Sequence, residues 1–464
     1  MNKKARIAIM IYMVYLTIYL LGNRIGIFMT GFDMISDWVY GVTHVIESYR
    51  IMMVGGLLMA GYLVFCARKT LLCMDTVILG IYMLALMLSV VANRDLGFSE
   101  NFMESAKIGM VIVDFYLLAR ICGKKDWYYI IKRVLFWACY IWDIGCLISM
   151  GMYLFNYKGY YYFSGFNRPS RQGIMSGRLF GIFSDPNYAA FISFLLIGGI
   201  LYLYHRVRPK WLRIYLLISG VIQACYIVLA VSRSTYVTIF CTLVLVFVFN
   251  AYRMKEKFIS WDAIKYMVTR ILAGIAILVA TYFVILFAFQ GLGYVITPNR
   301  DVGTEFERDD VSEDNISNSR FRIWMDYLEL CKDRPVTGFS ARGALTYAQK
   351  LDAHSYLSNR QYNTHNMYLL VLVQTGLLGV LTMVCFFGYL LWQTILVLRK
   401  KKYTKLFLLS LFWTVTGFVF YFFNVGVFTS YRFETMLFWC ALGFIGEFCY
   451  EKNGKKSIGH RAGV

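Results

Sequence analysis

The sequence predicts an all-α polytopic membrane protein of about twelve transmembrane helices, with a long extracytoplasmic loop that holds an amphipathic helix between spans nine and ten. Three observations predict it. Of the 464 residues, 59% are hydrophobic and only 16% charged, with a mean hydropathy of +0.56, a balance foreign to soluble globular chains. Apolar stretches of about 18 or more residues recur from end to end, each long enough as a helix to cross a ~30 Å hydrocarbon core. The formal charge of +20 sits in short clusters between these stretches, which is how a membrane chain records its orientation. The expected surroundings are therefore a lipid bilayer, and no nucleic-acid partner is expected.

The spans fall at about 7–22, 51–67, 72–91, 105–121, 132–153, 187–204, 212–231, 235–251, 270–290, 366–397, 405–424 and 434–450. The first follows Asn2-Lys3-Lys4-Ala5-Arg6 without a small-residue cleavage site, so it reads as a retained span and not a signal peptide. Dense basic clusters fill alternate links: Arg68-Lys69, Lys124 to Arg133, Arg206 to Arg213, Arg253 to Lys265, Arg399 to Lys402 and Lys452 to Lys456. The positive-inside rule puts these links, and both termini, in the cytoplasm. Residues 1–464 then form a single integral membrane domain with two larger outer segments, 156–185 and 291–365. Ten of the 11 cysteines lie in or beside apolar runs, and no C-x-x-C pair occurs. They read as small buried hydrophobes, with no metal site.

The 291–365 segment is long for a connection without structure of its own, which usually marks function. Phe321, Trp324, Met325, Leu328 and Cys331 follow helical spacing, with Ser317 to Ser319 as candidate caps and Pro335 as a stop. This predicts a helix near 319–332 lying along the membrane surface or roofing a cavity. The seven carboxylates between Asp301 and Asp314 read as a solvated surface. All five prolines lie in loops or at span edges, so no broken helix of the kind transporters use is expected. Asp114 and Asp143 are the main acids within spans, and both read as structural hydrogen-bond acceptors.

Chemistry is expected at His365, where the outer segment enters the tenth span. A helix N-terminus disfavours an imidazolium, and a neutral imidazole suits a general base. The rival reading is a local cap. Gly376 and Gly379 fall on the same helical stripe and predict close approach of a neighbouring helix. Asp185-Pro186 is a strong helix-start signal. Arg178, with Arg168 and Arg171, breaks the charge rule on the outer side. Arg233 stands between Ser232 and Ser234, as an anion ligand or a snorkelling anchor. Arg320, Arg322, Arg334, Arg342 and Arg432 share that side, and between Arg300 and Arg360 arginine outnumbers lysine seven to two. A planar guanidinium suits phosphate oxygens better than an ammonium, so a polyprenyl diphosphate-linked glycan fits this face.

These residues carry a resemblance. The pattern H-[NSQ]-x9-G-x-x-[GTV] is matched by His365, Asn366, Gly376 and Gly379, and it resembles the O-antigen ligase and O-antigen polymerase (Wzy-type) superfamily. Ser319-Arg320, Trp324, Pro335 and Gly338 are similar to that family's outer-loop signature; Arg178, Gly181, Asp185-Pro186-Asn187 and Ser232-Arg233-Ser234 resemble two earlier ones. Gly338-Phe339-Ser340 departs from the usual G-x-G, and the first 150 residues match in span count alone. The resemblance implies a metal-independent glycosyltransferase of the bacterial cytoplasmic (inner) membrane, needing no cofactor. Its substrates would be an undecaprenyl diphosphate-linked oligosaccharide and a sugar hydroxyl, with His365 as base and Arg178, Arg233 and Arg320 on the diphosphate. Asn366, Trp324, Arg322, Arg432, Asp185 and Asn187 would have secondary roles. Polymerisation of the repeat units of a capsule, exopolysaccharide or O-antigen is favoured over ligation of the finished glycan to another acceptor. The rival of another class is a flippase or exporter of the same lipid. Other polysaccharide-assembly membrane proteins are expected as partners.

Overall fold

A computed structural model describes residues 3–22, 49–66, 72–161, 170–254, 261–298, 319–401, 403–426 and 431–452. Arg168, Ser317, Asn318 and the Asp301–Asp314 acidic stretch lie outside the described residues. A helix stands at each of the twelve predicted spans, and eight are long and apolar enough to cross a membrane. The helix Trp261–Ile296 makes the environment plain. Its most apolar window has a hydropathy of 2.7 with none of it buried inside the protein, so lipid is what solvates it. The protein is an all-α polytopic membrane protein, with one small sheet among the described residues that the sequence reading did not include.

The chain forms two compact units. The first takes residues 1–10, 48–131 and 313–464; the second takes 11–47 and 132–312. Along the chain, α1 (Lys3–Gly22) begins in the first unit and ends in the second, as does α6 (Lys124–Leu154).

The first unit also holds α2 (Tyr49–Cys66), α3 (Met74–Ala92), α4 (Phe98–Val111), a π-helical turn (Ile112–Leu117) leading into α5 (Leu118–Ile121), α11 (Arg320–Leu330), α12 (Gly343–Leu351), α13 (Tyr356–Arg360), α14 (Met367–Arg399), α15 (Lys405–Phe420) and α16 (Phe433–Lys452). At one end of its helices lies a buried ion cluster that the sequence reading missed. Arg120 is 1% exposed and holds Asp75 through Nε at 2.9 Å and Nη2 at 3.3 Å. Glu447 of α16 also accepts from Arg120, and the Tyr116 hydroxyl donates to Asp75. Asp114, in the π turn, accepts from the Tyr431 hydroxyl at 3.0 Å.

The break in α14 organises this unit. Gly376 has φ 60° and ψ −158°, a conformation closed to residues with a Cβ. The carbonyls and amides freed there bond to the 335–340 backbone: Phe339 N to Val373 O at 2.8 Å, Ser340 N to Gln374 O at 3.0 Å, and Leu377 N to Pro335 O at 2.8 Å. Ser89 Oγ adds a bond to Gln374 O (2.8 Å), and Asn93 Nδ2 to Gly338 O (2.9 Å). A closely approaching loop backbone, and not a neighbouring helix, is therefore the reason for glycine at 376. Gly379 makes room for the side chain of Thr375 in its own helix. The expectation of unbroken spans fails here, because glycine breaks this helix without any proline. Leu377 to Arg399, 23 residues or about 34 Å, is by itself the length of a bilayer crossing.

The second unit contains β1 (Lys158–Tyr161), β2 (Ser170–Met175), β3 (Arg178–Gly181), α7 (Pro186–Tyr204), α8 (Lys210–Leu229), α9 (Arg233–Met254) and α10 (Trp261–Ile296). The strands form an antiparallel sheet in the order β1-β2-β3. Ser176 and Gly177, both at positive φ between the paired residues Met175 and Arg178, make the two-residue turn that right-twisted strands require. Deep in this unit Asp143 accepts from Tyr215 (3.1 Å), Ser219 (3.0 Å) and Gln223 (3.1 Å). It stands as a hydrogen-bond acceptor, as expected.

Candidate functional site

In the first unit the site is built around the segment that leads into α14. Asn366 is the N-cap: its Oδ1 accepts from Tyr368 N at 2.9 Å and Leu369 N at 3.0 Å. That oxygen is thereby committed to the helix, a local duty for a residue expected to orient sugar. His365 precedes the cap in the left-handed region at φ 45°. The stripe argument that placed it on one helical face with Gly376 does not hold, since His365 lies outside the helix and Gly376 breaks it. What fixes His365 is a series of local bonds. Its amide donates to Asn363 Oδ1 at 3.1 Å, and the following Met367 N donates to Tyr421 O at 2.9 Å. Its half-buried ring lies edge-on to Tyr362, with centroids 6.1 Å apart.

The helix α11 docks on this segment. Trp324 Nε1 donates to Thr364 O at 2.9 Å and the Tyr327 hydroxyl to Tyr362 O at 2.8 Å; burial pushes the Tyr327 phenol above its ordinary pKa. The predicted helix is present, and it carries a second apolar face besides the expected stripe. Ile323, Tyr327, Leu330 and Cys331 are buried, while Phe321, Met325 and Leu328 are exposed. Period alone could not choose, because two apolar stripes lie on this helix. Arg322 stacks its guanidinium 4.2 Å from the Tyr356 ring centroid, and Tyr356 lies against Tyr362. Arg320, half-buried, opens α11. The structure thus brings α11, with Arg320, Arg322 and Trp324, to the His365 segment. Arg432 stands just before α16, its guanidinium beside Gly426.

Two other arginines of this group have a different duty. Arg334 bonds Asn93 Oδ1 and lies 3.3 Å from Asp95 Oδ2; Arg342 pairs with Glu104 at 2.7 Å. Desolvation raises the Asp95 carboxyl, but the Arg334 bond and charge outweigh it and hold it below its ordinary pKa. Arg334 and Arg342 therefore fasten the 334–342 segment to residues 93–104.

In the second unit the two early motifs come together. Arg178, 5% exposed on β3, donates through Nε to Ala230 O at 3.2 Å and through Nη2 to Asn187 Oδ1 at 2.7 Å. Ser232 Oγ meets the same Asn187 oxygen at 3.1 Å, and Thr235 Oγ1 donates to Asn187 O at 3.3 Å. Asp185 caps α7 through Asn187 N at 2.8 Å. Arg233 is exposed at the first position of α9, whose N-terminal dipole end favours anions. Arg171 and Arg178 both lie 5.8 Å from the Phe180 ring centroid. The hairpin that aligns them was signalled by Ser176-Gly177 between extended residues, a turn signature passed over in the sequence. Among the described residues no group of three or more histidine, cysteine, aspartate or glutamate side chains is arranged to hold a metal ion.

Comparison with known proteins places a name on one stretch. The family model described as O-Antigen ligase matches residues 218–384, which include Arg233, Arg320, Trp324, His365, Asn366, Gly376 and Gly379 and leave out Arg178, Asp185, Asn187 and Arg432. No curated protein matches the chain.

Proposed function

We propose that this chain, whose residues 218–384 match the family model described as O-Antigen ligase, is a glycan transferase that polymerises lipid-linked repeat units of a surface polysaccharide on the outer face of a bacterial cytoplasmic membrane. The observation that carries this reading is His365, fixed before the capped end of α14 and overlaid by the arginine-bearing helix α11. The acceptor sugar hydroxyl gives its proton to His365 as its oxygen bonds to the anomeric carbon of the donor. The bond from that carbon to the undecaprenyl diphosphate breaks, with inversion, and the diphosphate leaves with the electron pair. In the second unit Arg178 and Arg233 form the anion-binding group assigned to a diphosphate, a duty that needs no metal ion. Arg320 and Arg322 bind the second anionic substrate. Ligation to a different acceptor is the second reading, favoured by the description of the matched family.

The lipid-linked glycan pool of a deletion strain separates the two. Loss of a polymerase leaves single repeat units on the lipid; long lipid-linked chains persisting in the deletion strain would overturn polymerisation in favour of ligation. Arg178→Lys is expected to lower transfer at least about tenfold although the charge is kept, because an ammonium cannot reproduce the planar fork that reaches Ala230 O and Asn187 Oδ1. Arg233→Lys should behave likewise; a fully active lysine variant makes that position a snorkelling anchor. The topology follows from the basic links: both termini are cytoplasmic and 291–365 is outside. An impermeant thiol reagent should label a cysteine placed at Ser312 in intact cells and spare one at Lys401. The reverse pattern would invert the orientation.

A further inference from the structure

Asp143 is a single acid set deep in the second unit. It is 5% exposed, and the span predicted at 132–153 puts it near mid-depth. Three residues of α8, spaced by four and so on one face of that helix, reach its carboxylate. The Tyr215 hydroxyl donates to Oδ2 at 3.1 Å, Ser219 Oγ to Oδ1 at 3.0 Å, and Gln223 Nε2 to Oδ1 at 3.1 Å. All three partners are neutral, and among the described residues no lysine, arginine or histidine pairs with Asp143. An ionised carboxylate in a lipid-enclosed interior needs a compensating positive charge. One oxygen of the cluster is also left over. Gln223 is fully buried, and its Oε1 accepts no hydrogen bond, although a buried amide oxygen ordinarily does.

We propose that Asp143, Tyr215, Ser219 and Gln223 bind one sodium ion between α6 and α8. The donors select the ion. All are hard oxygens, which suit alkali and alkaline-earth cations over transition metals. A single carboxylate balances a single positive charge, which favours a monovalent ion. The two hydroxyl oxygens stand 3.0 Å and 3.1 Å from the carboxylate, a close spacing that suits sodium better than the larger potassium. A half-turn of the Gln223 amide exchanges its nitrogen and oxygen. Oε1 then takes the place that Nε2 holds, 3.1 Å from both Asp143 Oδ1 and Ser219 Oγ. The leftover oxygen and the uncompensated charge are met by the same ion. Its position also bears on the outer arginines. Tyr226, three residues beyond Gln223 on α8, donates to Leu179 O and Phe180 O at 3.4 Å, and Ala230 O, just past the end of α8, accepts from Arg178. Sodium here fixes α8 against α6, and with it the carbonyl on which Arg178 rests.

The test is binding of radioactive sodium to the purified full chain in detergent, with thermal unfolding followed in sodium, potassium or choline chloride at equal ionic strength. The wild type should bind one sodium ion per chain. Sodium well above half-saturation should raise its midpoint over choline by about 2–4 °C, and potassium should raise it less. Asp143→Asn, Ser219→Ala and Gln223→Leu should each lower sodium affinity at least about tenfold and lose the shift. Glu329→Gln, at an exposed carboxylate of α11, should keep both. Absence of bound sodium in the wild type, or unchanged binding in Asp143→Asn and Gln223→Leu, overturns the proposal. So does a midpoint that responds to pH and not to sodium, with that response lost in Asp143→Asn, because the carboxyl then holds a proton. Ser219→Ala keeps the carboxylate and removes one oxygen, so its sodium affinity decides the matter if Asp143→Asn does not accumulate.

Discussion

His365→Ala is expected to lower glycan transfer by about 10²–10⁴, the usual contribution of a positioned base, while the protein still inserts and accumulates. Other groups hold the helix end: Asn366 supplies the cap, Tyr421 O accepts from the following amide, and Asn363 Oδ1 accepts from the His365 amide itself. Removal of the ring should therefore leave the fold intact. The backbone is a separate matter, because position 365 sits at φ 45° and asparagine accepts that region more readily than alanine. His365→Asn is the control. If it is as inactive as the alanine variant, the ring and not the backbone was lost. Near-normal transfer by either variant would leave His365 with a local packing role and the proposed mechanism without its base.

Gly376→Ala should have the largest effect on stability. A residue with a Cβ at φ 60° and ψ −158° costs about 1–3 kcal/mol in strain. The added carbon would also stand 2.4 Å from the Val336 carbonyl and 2.7 Å from Gly338 N, all of it backbone. Relief means drawing the 335–340 segment away and losing bonds such as Phe339 N to Val373 O, each worth about 1 kcal/mol. A total loss of about 3 kcal/mol or more is expected, read as a lowered thermal midpoint in detergent and poor recovery. Gly388→Ala, on the same helix with open space around it, should be neutral or stabilising by up to about 1 kcal/mol. An unchanged midpoint for Gly376→Ala would mean that the break is not required.

The helices were legible because a bilayer imposes their length and polarity, so composition and charge placement suffice to find them. Arg178, Asn187 and Ser232 were legible as motifs, and their meeting follows from helix starts marked by Asp185-Pro186 and Ser232. The break at Gly376 was not legible. A glycine in an apolar run reads as a packing device, and its backbone conformation depends on a partner segment some 36 to 41 residues earlier, 335–340. The duties of Arg334 and Arg342 were hidden for the same reason. Their partners Asn93, Asp95 and Glu104 lie more than 200 residues away in sequence, beyond the reach of any local pattern. The face that α11 turns to the protein, Ile323, Tyr327 and Leu330, was not legible because Phe321, Met325 and Leu328 form a second apolar stripe of the same period.

The ion cluster at Arg120 has a consequence for biogenesis. A guanidinium cannot shed its charge, and removing one partner from a buried pair costs about 3–5 kcal/mol. Asp75, only 45 residues before Arg120, is synthesised first and neutralises it early. Glu447 and Tyr450, which also contact Arg120, belong to α16 and emerge more than 300 residues later. Until α16 arrives, Arg120 and Tyr116 line an unfilled slot, against which Trp439 and Gly443 later close. Assembly of this unit therefore ends with its last helix. A chain lacking α16 keeps Arg120 with only part of its buried partners, Asp75 without Glu447.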